Sequence, residues 1–159
     1  MSVDFNEFKS ALSHFASGIT IVGYLDEQEM GGLTVTGFSS LSLDPPLVLI
    51  TINKTSSSND KIIKANAFSV NILSAEQEAI SNQFAGKDSN KHELILNSGY
   101  SVKETGAPIL KNCVANLDCQ VENVFEGGDH SIIVGRVLDA TLDGTKKPLL
   151  YYNRSYYKI

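Results

Sequence analysis

Residues 31–46 read Gly31-Gly32-Leu33-Thr34-Val35-Thr36-Gly37-Phe38-Ser39-Ser40-Leu41-Ser42-Leu43-Asp44-Pro45-Pro46, and the apolar run Leu47-Val48-Leu49-Ile50-Thr51-Ile52 follows. Five hydroxyl side chains (Thr34, Thr36, Ser39, Ser40, Ser42) alternate with Leu33, Val35, Leu41 and Leu43. One reading is a polar-faced strand ended by a turn. The other is backbone held close to a ligand, with hydroxyls as neutral donors and glycines allowing close approach. The run from Leu47 to Ile52 has almost no polar face, which predicts a central strand covered on both sides.

Working outward, period-two alternation recurs along the chain. Ile19 to Leu25 alternates, then Asp26 to Gly32 reads as a glycine-ended hairpin connection into a strand over Leu33 to Phe38. Phe68 to Leu73 predicts another strand. Cys113, Ala115, Leu117, Cys119 and Val121 alternate with polar partners, as do Ile132, Val134 and Leu138. Gly127-Gly128 joins those two runs as a hairpin, and a last strand covers Pro148 to Tyr152.

Helices are fewer. Asp4 with Glu7 three residues on predicts a capped helix over 4–15, with Phe5, Phe8, Leu12 and Phe15 on one face. A second helix is expected around Asn59 to Ala65. Ser74 with Gln77 forms a capping-box pattern for a third over Ala75 to Ala85, with Gly86 as its stop. Lys87 to Ala107 is weakly patterned and reads as a long surface excursion. Six or more antiparallel strands with two or three helices predict a mainly β domain, a small antiparallel barrel with peripheral helices. No Gly-x-Gly-x-x-Gly follows the first strand, so a doubly wound dinucleotide fold is not expected.

The 159 residues suit one domain over 1–159 with a sizeable core. Thirteen basic against eighteen acidic residues give a net charge of −5 without a basic stripe, which argues against nucleic-acid binding. No stretch approaches 18 apolar residues and no basic leader precedes an apolar run, so neither membrane insertion nor secretion is expected. On that reading the Asn-x-Ser/Thr triplets at Asn53 and Asn153 are chance matches. Cys113 and Cys119 in one straight strand would share a face about 20 Å apart. A disulfide needs α-carbons within about 7 Å, so both read as buried thiols in a reducing cytoplasm. His14, His92 and His130 are scattered, and no metal site is expected.

Four constellations could carry chemistry. Thr34 to Ser42 is the first. The second is Asn53-Lys54-Thr55-Ser56-Ser57-Ser58, where hydroxyls, a lysine and amides opening a helix make either an anion site or a plain N-cap. The third is Gln83-Phe84-Ala85-Gly86-Lys87. There Gly86 can simply end a helix and Lys87 complement its negative end. The fourth is Gly127-Gly128-Asp129-His130, which by itself is a hairpin with a histidine at strand entry.

The order of these pieces is more specific than any one of them. Phe15-Ala16-Ser17-Gly18, Gly32 to Val48, Val70-Asn71-Ile72-Leu73, Phe84-Ala85-Gly86, Gly128-Asp129-His130 and Pro148-Leu149-Leu150-Tyr151-Tyr152 together resemble the flavin reductase-like family. These are FMN-binding split-barrel proteins, many of them reductase components of two-component monooxygenases. The resemblance covers roughly Phe5 to Tyr157. It implies an antiparallel split barrel and an NAD(P)H-dependent flavin reductase, cytoplasmic and homodimeric. FMN or FAD would be its flavin, NADH or NADPH its donor, and an oxygenase component its possible partner.

By the same resemblance, Thr34, Val35, Thr36, Gly37 and Phe38 would lie along the flavin ring, with Ser39 and Ser40 near the ribityl chain. Asn53, Ser57, Ser58 and Lys87 would hold the phosphate, and Phe84, Ala85 and Gly86 would pass over the ribityl side. His130, the one catalytic candidate, would seat the nicotinamide, with Tyr152 bordering that pocket. Arg154 would reach a cofactor phosphate or form a salt bridge. A tightly held FMN flavoprotein without nicotinamide turnover, and a barrel module for another ligand, remain open at this point.

Overall fold

The computed structural model describes residues 2–87 and 90–159. Asp4 caps the first helix, α1 (Phe5–Ser13), by accepting from the Asn6 and Glu7 amides, both at 2.9 Å. Its apolar face forms as expected, yet the described residues leave it uncovered. Phe5, Phe8, Leu12 and Phe15 are all exposed, Phe15 at 79%. A short strand β1 (Ser17–Gly18) leads into the hairpin of β2 (Thr20–Asp26) and β3 (Glu29–Val35). The expected 26–32 connection shrinks to Glu27 and Gln28, because Gly31 and Gly32 enter the ladder opposite Tyr24 and Gly23.

The hydroxyl-rich stretch itself becomes a strand, β4 (Phe38–Leu43), hairpinned to β5 (Pro46–Asn53) with a register shift between Ser40 and Ser42. Helix α2 (Ser57–Ala65) begins two residues earlier than the periodicity suggests, since the Ser56 hydroxyl accepts from the Ser58 amide. Next come β6 (Ala67–Ile72), α3 (Glu78–Ala85), α4 (Lys91–Ser98), β7 (Tyr100–Ser101) and β8 (Ile109–Leu110). The Gln77 side chain does reach back to the Ser74 amide at 2.9 Å, but this closes a turn and α3 starts only at Glu78. The 87–107 stretch is likewise no plain excursion. It holds α4 and the pairing of β7 with β8, apart from residues 88 and 89, which lie outside the described residues.

The long hairpin β9 (Ala115–Gly127) and β10 (His130–Leu142) is followed by β11 (Leu149–Tyr152) and β12 (Ser155–Lys158). Seven strands form one antiparallel sheet in the order β3-β2-β6-β9-β10-β5-β4. It curls until Val35 of β3 and Val48, Ile50 and Ile52 of β5 share one buried cluster with Val22, Phe68, Val70 and Ile133. Its outermost strands, β3 and β4, are not laddered to each other, so the barrel is split rather than closed. β1, β11 and β12 make a second small sheet, and Ile19, Ile21, Leu73, Phe84, Ile95 and Leu149 form a second core beneath α3 and α4.

Both cysteines are free and buried. They do not share one strand, because β9 starts at Ala115 and leaves Cys113 in the turn before it. Cys113 joins the second core and Cys119 the first. Among the described residues, no group of His, Cys, Asp or Glu could hold a metal ion, and no helix is long and apolar enough to cross a membrane.

Candidate functional site

Three adjoining clefts follow the open side of the barrel. The first, about 940 Å³, lies between α1, the β4–β5 hairpin and β11–β12, and Thr36, Gly37, Phe38, Ser39, Thr51, Tyr151 and Arg154 line it together with Lys9. The second, about 360 Å³, shares Thr36, Tyr151 and Arg154 and adds Thr34, Ser81, Asn82, Ala85 and Tyr156. The third, about 530 Å³, meets the second at Ala85 and is lined by Gly32, Leu33, Asn53, Thr55, Ser56, Ser57, Ser58, Phe84, Gly86, Lys87 and Lys91. The described lining of all three contains no aspartate or glutamate, although the chain carries a net charge of −5.

Local structure explains how the walls are held. Thr34 donates its hydroxyl to the Ser81 carbonyl at 2.6 Å, which ties β3 to α3. The Tyr156 hydroxyl lies 3.0 Å from the Ser81 hydroxyl and donates to Asn82 at 3.0 Å, which ties β12 to the same helix. A β-carbon at Gly32 would meet the Phe84 ring at 2.9 Å, and one at Gly37 would run into the Thr51 hydroxyl, so at both points only glycine lets the groove walls approach. In the third cleft, Asn53 accepts from the Thr55 amide at 2.8 Å, and the Ser58 hydroxyl lies 3.0 Å from the Tyr24 hydroxyl. The first amides of α2 open beside these hydroxyls and Lys87, an arrangement suited to a phosphate.

The structure brings most of the sequence-derived candidates together. Thr34, Thr36, Gly37, Phe38 and Ser39 line the first two clefts, while Asn53, Ser57, Ser58, Phe84, Ala85, Gly86 and Lys87 line the third. Val35 packs its side chain into the barrel core at 5% exposure. Ser40 lies exposed on β4, opposite Val48. His130 sits at the start of β10, directly opposite Asn53, and its Nδ1 is 2.7 Å from an Asp129 carboxylate oxygen. That contact holds the Asp129 carboxyl below the usual aspartate range, with a smaller contribution from Lys54.

Tyr152 is not in the groove lining. It stands edge-on to His14 at 5.6 Å and to Tyr157 at 6.0 Å. Tyr151 faces the clefts instead, as the alternation of side chains along a strand requires once Leu149 is buried. The sequence reading did not single out Thr51, Ser81, Asn82, Tyr151 or Tyr156. For Tyr151 the available signal was its period-two spacing from Leu149, whereas Ser81 and Asn82 converge on the groove only through the tertiary fold.

A flavin needs donors along a flat heterocycle and a positive, amide-rich seat for its phosphate. The Thr36 hydroxyl, the α2 amino terminus and Lys87 fit those needs, whereas the hydroxyl protons of Thr34 and Ser39 are already donated to the Ser81 and Ser40 carbonyls. Glu29 shares a neighbouring pocket with Ser57, Ser58 and Lys87, and Lys61 and Lys91 line it too.

Residues 12–159 match the family model described as the flavin reductase like domain. The chain is 34% identical over 156 residues to a flavin reductase of Pseudomonas putida, covering 98% of this chain and 90% of the relative. It is 37% identical over 152 residues to the reductase component of 4-hydroxyphenylacetate 3-monooxygenase from Thermus thermophilus, covering 96% and 95%. Its structure superposes on the NADH:FAD oxidoreductase SgcE6 of Streptomyces globisporus, solved with NAD and FAD fragments, with a TM-score of 0.91 at 29% identity. That match covers 100% of this chain and 96% of the other.

Proposed function

The chain belongs to the flavin reductase-like family, and we propose that it acts, as one domain over residues 1–159, as an NAD(P)H-dependent flavin reductase that supplies reduced flavin to an oxygenase component. The observation that carries this reading is the run of three clefts whose described lining residues include no acid, on an acidic chain. It joins a hydroxyl-lined slot to a lysine at a helix amino terminus. Such a groove suits a neutral ring with an anionic tail, which is the form of FMN and of the flavin half of FAD.

When bound, the flavin supplies the acceptor for a hydride from NADH or NADPH. The chain's own residues bind, orient and exclude water. Ser57, Ser58, Asn53 and Lys87 hold the phosphate. Thr34, Thr36 and Ser39 with the backbone of Val35, Gly37 and Phe38 address the ring, and Ser40 extends that edge. Phe84, Ala85 and Gly86 cover the ribityl side. His130 seats the nicotinamide. Its Nδ1 lies 2.7 Å from an Asp129 carboxylate oxygen, a contact that orients the ring. Holding two rings at near-attack distance in a dry slot is the protein's main contribution to rate.

The protein works as a homodimer in the cytoplasm. Phe5, Phe8, Leu12 and Phe15 on α1, Leu43 (96% exposed) and Leu142 (76% exposed) leave more apolar surface uncovered than a stable monomer commonly carries. The free, buried thiols suit a reducing compartment. The binding half of the proposal is tested by titrating the purified chain with FMN, FAD and riboflavin and following flavin fluorescence. Saturable binding in which the phosphorylated flavins exceed riboflavin is expected, and absence of binding by all three rejects the proposal. Light scattering tests the assembly: a particle of 17.2 kDa at micromolar concentration would contradict a dimer.

A further inference from the structure

We propose that Glu29 is a specificity-determining residue: it reads the ribose of an adenylate in the pocket behind the phosphate seat, so that this chain selects FAD over FMN. The inference deepens the flavin reductase reading and rests on it for the flavin itself. The pocket, about 280 Å³, is lined by Tyr24, Glu29, Lys61 and His92 and shares Ser57, Ser58, Lys87 and Lys91 with the third cleft. A flavin phosphate held at those shared residues stands at its mouth. FMN ends at that phosphate, whereas FAD continues through a second one into adenosine.

Three observations show a pocket furnished beyond the needs of one phosphate. Its buried wall carries an unspent donor. Tyr24 is 4% exposed and Ser58 6%, and their hydroxyls lie 3.0 Å apart. Two hydroxyl protons share one hydrogen bond, so the second proton has no acceptor among the described residues. A β-carbon at Gly31, which pairs with Tyr24 across β2 and β3, would run into the tyrosine ring, so glycine keeps that ring in the wall. Second, His92 accepts from the Met30 amide through Nδ1 at 3.1 Å, which puts the proton of the neutral ring on Nε2 and gives the wall another donor. Third, opposite charges are kept apart. Lys64 of α2 pairs with Asp26 and Glu27. Lys61, one turn earlier, and Glu29 form no ion pair among the described residues, although both line the pocket.

An adenylate uses both of those charges. Lys91 is occupied by the carbonyls that end α3, which leaves Lys87 for the flavin phosphate and Lys61 for the one beyond it. A carboxylate offers only acceptors, so Glu29 opposes a bare anion but accepts the hydroxyl protons of a ribose 2′,3′-diol. A cation and a carboxylate standing apart in one pocket therefore fit a nucleoside phosphate better than an inorganic ion. The hydroxyls of FMN lie on the ring side of its phosphate and do not enter this pocket.

The test titrates FAD, FMN and AMP by calorimetry against the full chain, Glu29→Gln and Lys61→Gln. The parent should bind FAD more tightly than FMN. Each variant should lose about tenfold or more in affinity for FAD and AMP, the effect of removing a hydrogen bond to a charged group, while FMN changes little. Glu29 is exposed, so the melting temperature of Glu29→Gln should match the parent's. A further probe, 2′-deoxy-AMP, isolates the ribose contact: the parent should bind it more weakly than AMP, and Glu29→Gln should bind the two alike. Equal affinity of the parent for FAD and FMN, equal losses of both flavins in the variants, or a parent indifferent to the 2′-hydroxyl would each overturn the proposal. A chain that fails in this way yet oxidises NADH with FMN loses this assignment alone. A chain that binds no flavin loses the reductase reading, and AMP still read through Glu29 would keep the pocket assigned to an adenylate.

Discussion

The Lys91 ammonium donates to the Phe84 carbonyl at 2.9 Å. The same nitrogen reaches the Gln83 carbonyl at 3.0 Å and that of Gly86 at 2.6 Å, so the first turn of α4 satisfies three carbonyls at the end of α3. Burial pulls this ammonium below the ordinary lysine value. The contact pins Phe84, Ala85 and Gly86 as one wall of the third cleft. In the sequence alone, Lys87 was the candidate for complementing that helix end. With Lys91 in that position, Lys87 faces the clefts.

Replacing Lys91 by Met should therefore lower stability by about 1–2 kcal/mol, the typical effect of leaving hydrogen-bonded carbonyls without a charged donor. Flavin affinity should fall with it, because the wall loosens. Urea denaturation and FMN titration of the variant measure both, and a Lys91→Met protein as stable as the parent would show that these contacts hold nothing.

Lys87 gives the sharper contrast. Lys87→Glu should weaken FMN by about ten- to a hundredfold or more, since a charge-assisted hydrogen bond contributes roughly 1.5–3 kcal/mol and the reversed charge adds repulsion. Riboflavin, which has no phosphate, should bind nearly as before. Equal losses for the two ligands would remove Lys87 from the phosphate seat.

How much of this was legible in the chain depends on where the determining contacts lie. The period-two stretches mark strands because one face must be buried, and Asp4 with Glu7 marks α1 because the cap is local. The β5 run was expected to be covered on both sides, but its Leu47, Leu49 and Thr51 face is only half-buried, and Leu49 and Thr51 line the first cleft. Helix α4 escaped notice because its pattern is weak, with Ile95 its buried residue. What holds it lies outside the helix, namely the grip of Lys91 on the carbonyls that end α3 and the Met30 amide donating to His92 Nδ1 at 3.1 Å. The cleft-lining residues among Thr34 to Ser39 could be found together because they are contiguous. Thr51, Tyr151 and Tyr156 could not, since the opposite ends of the chain meet at the groove only after the barrel curls. The α1 face shows a different limit, because its periodicity predicts an apolar stripe without saying what covers it.

His130→Ala should slow nicotinamide-dependent reduction in stopped-flow mixing while leaving flavin affinity nearly intact. A carboxyl titration by NMR provides a readout independent of activity. Asp129 should titrate below its ordinary value of 3.8 in the parent and return toward it in the variant. Because the folded value lies below the unfolded one, the contribution of this carboxylate is complete above the unfolded value and is lost as pH falls through the folded one. Unchanged reduction rates would confine His130 to a hairpin role.

The thiols should be inert in the native state. Burial pushes Cys113 up to about 11 and Cys119 up to about 12, from an ordinary 9.0. With folded values raised, their contribution to stability is complete below the unfolded value and is lost as pH rises through the folded ones. Alkylation at pH 8 should label both cysteines only after denaturation. Rapid labelling of the native protein would contradict their burial in the two cores.

The most direct test of the account is NADH consumption by the purified chain, followed by loss of reduced-nicotinamide absorbance with and without added FMN or FAD, under air. Steady oxidation that requires flavin, saturates with its concentration and falls in Lys87→Glu for FMN but not for riboflavin is the predicted result. NADH left unconsumed with every flavin, while the same protein binds FMN tightly, would contradict the reductase reading and leave a flavin-binding protein without nicotinamide turnover.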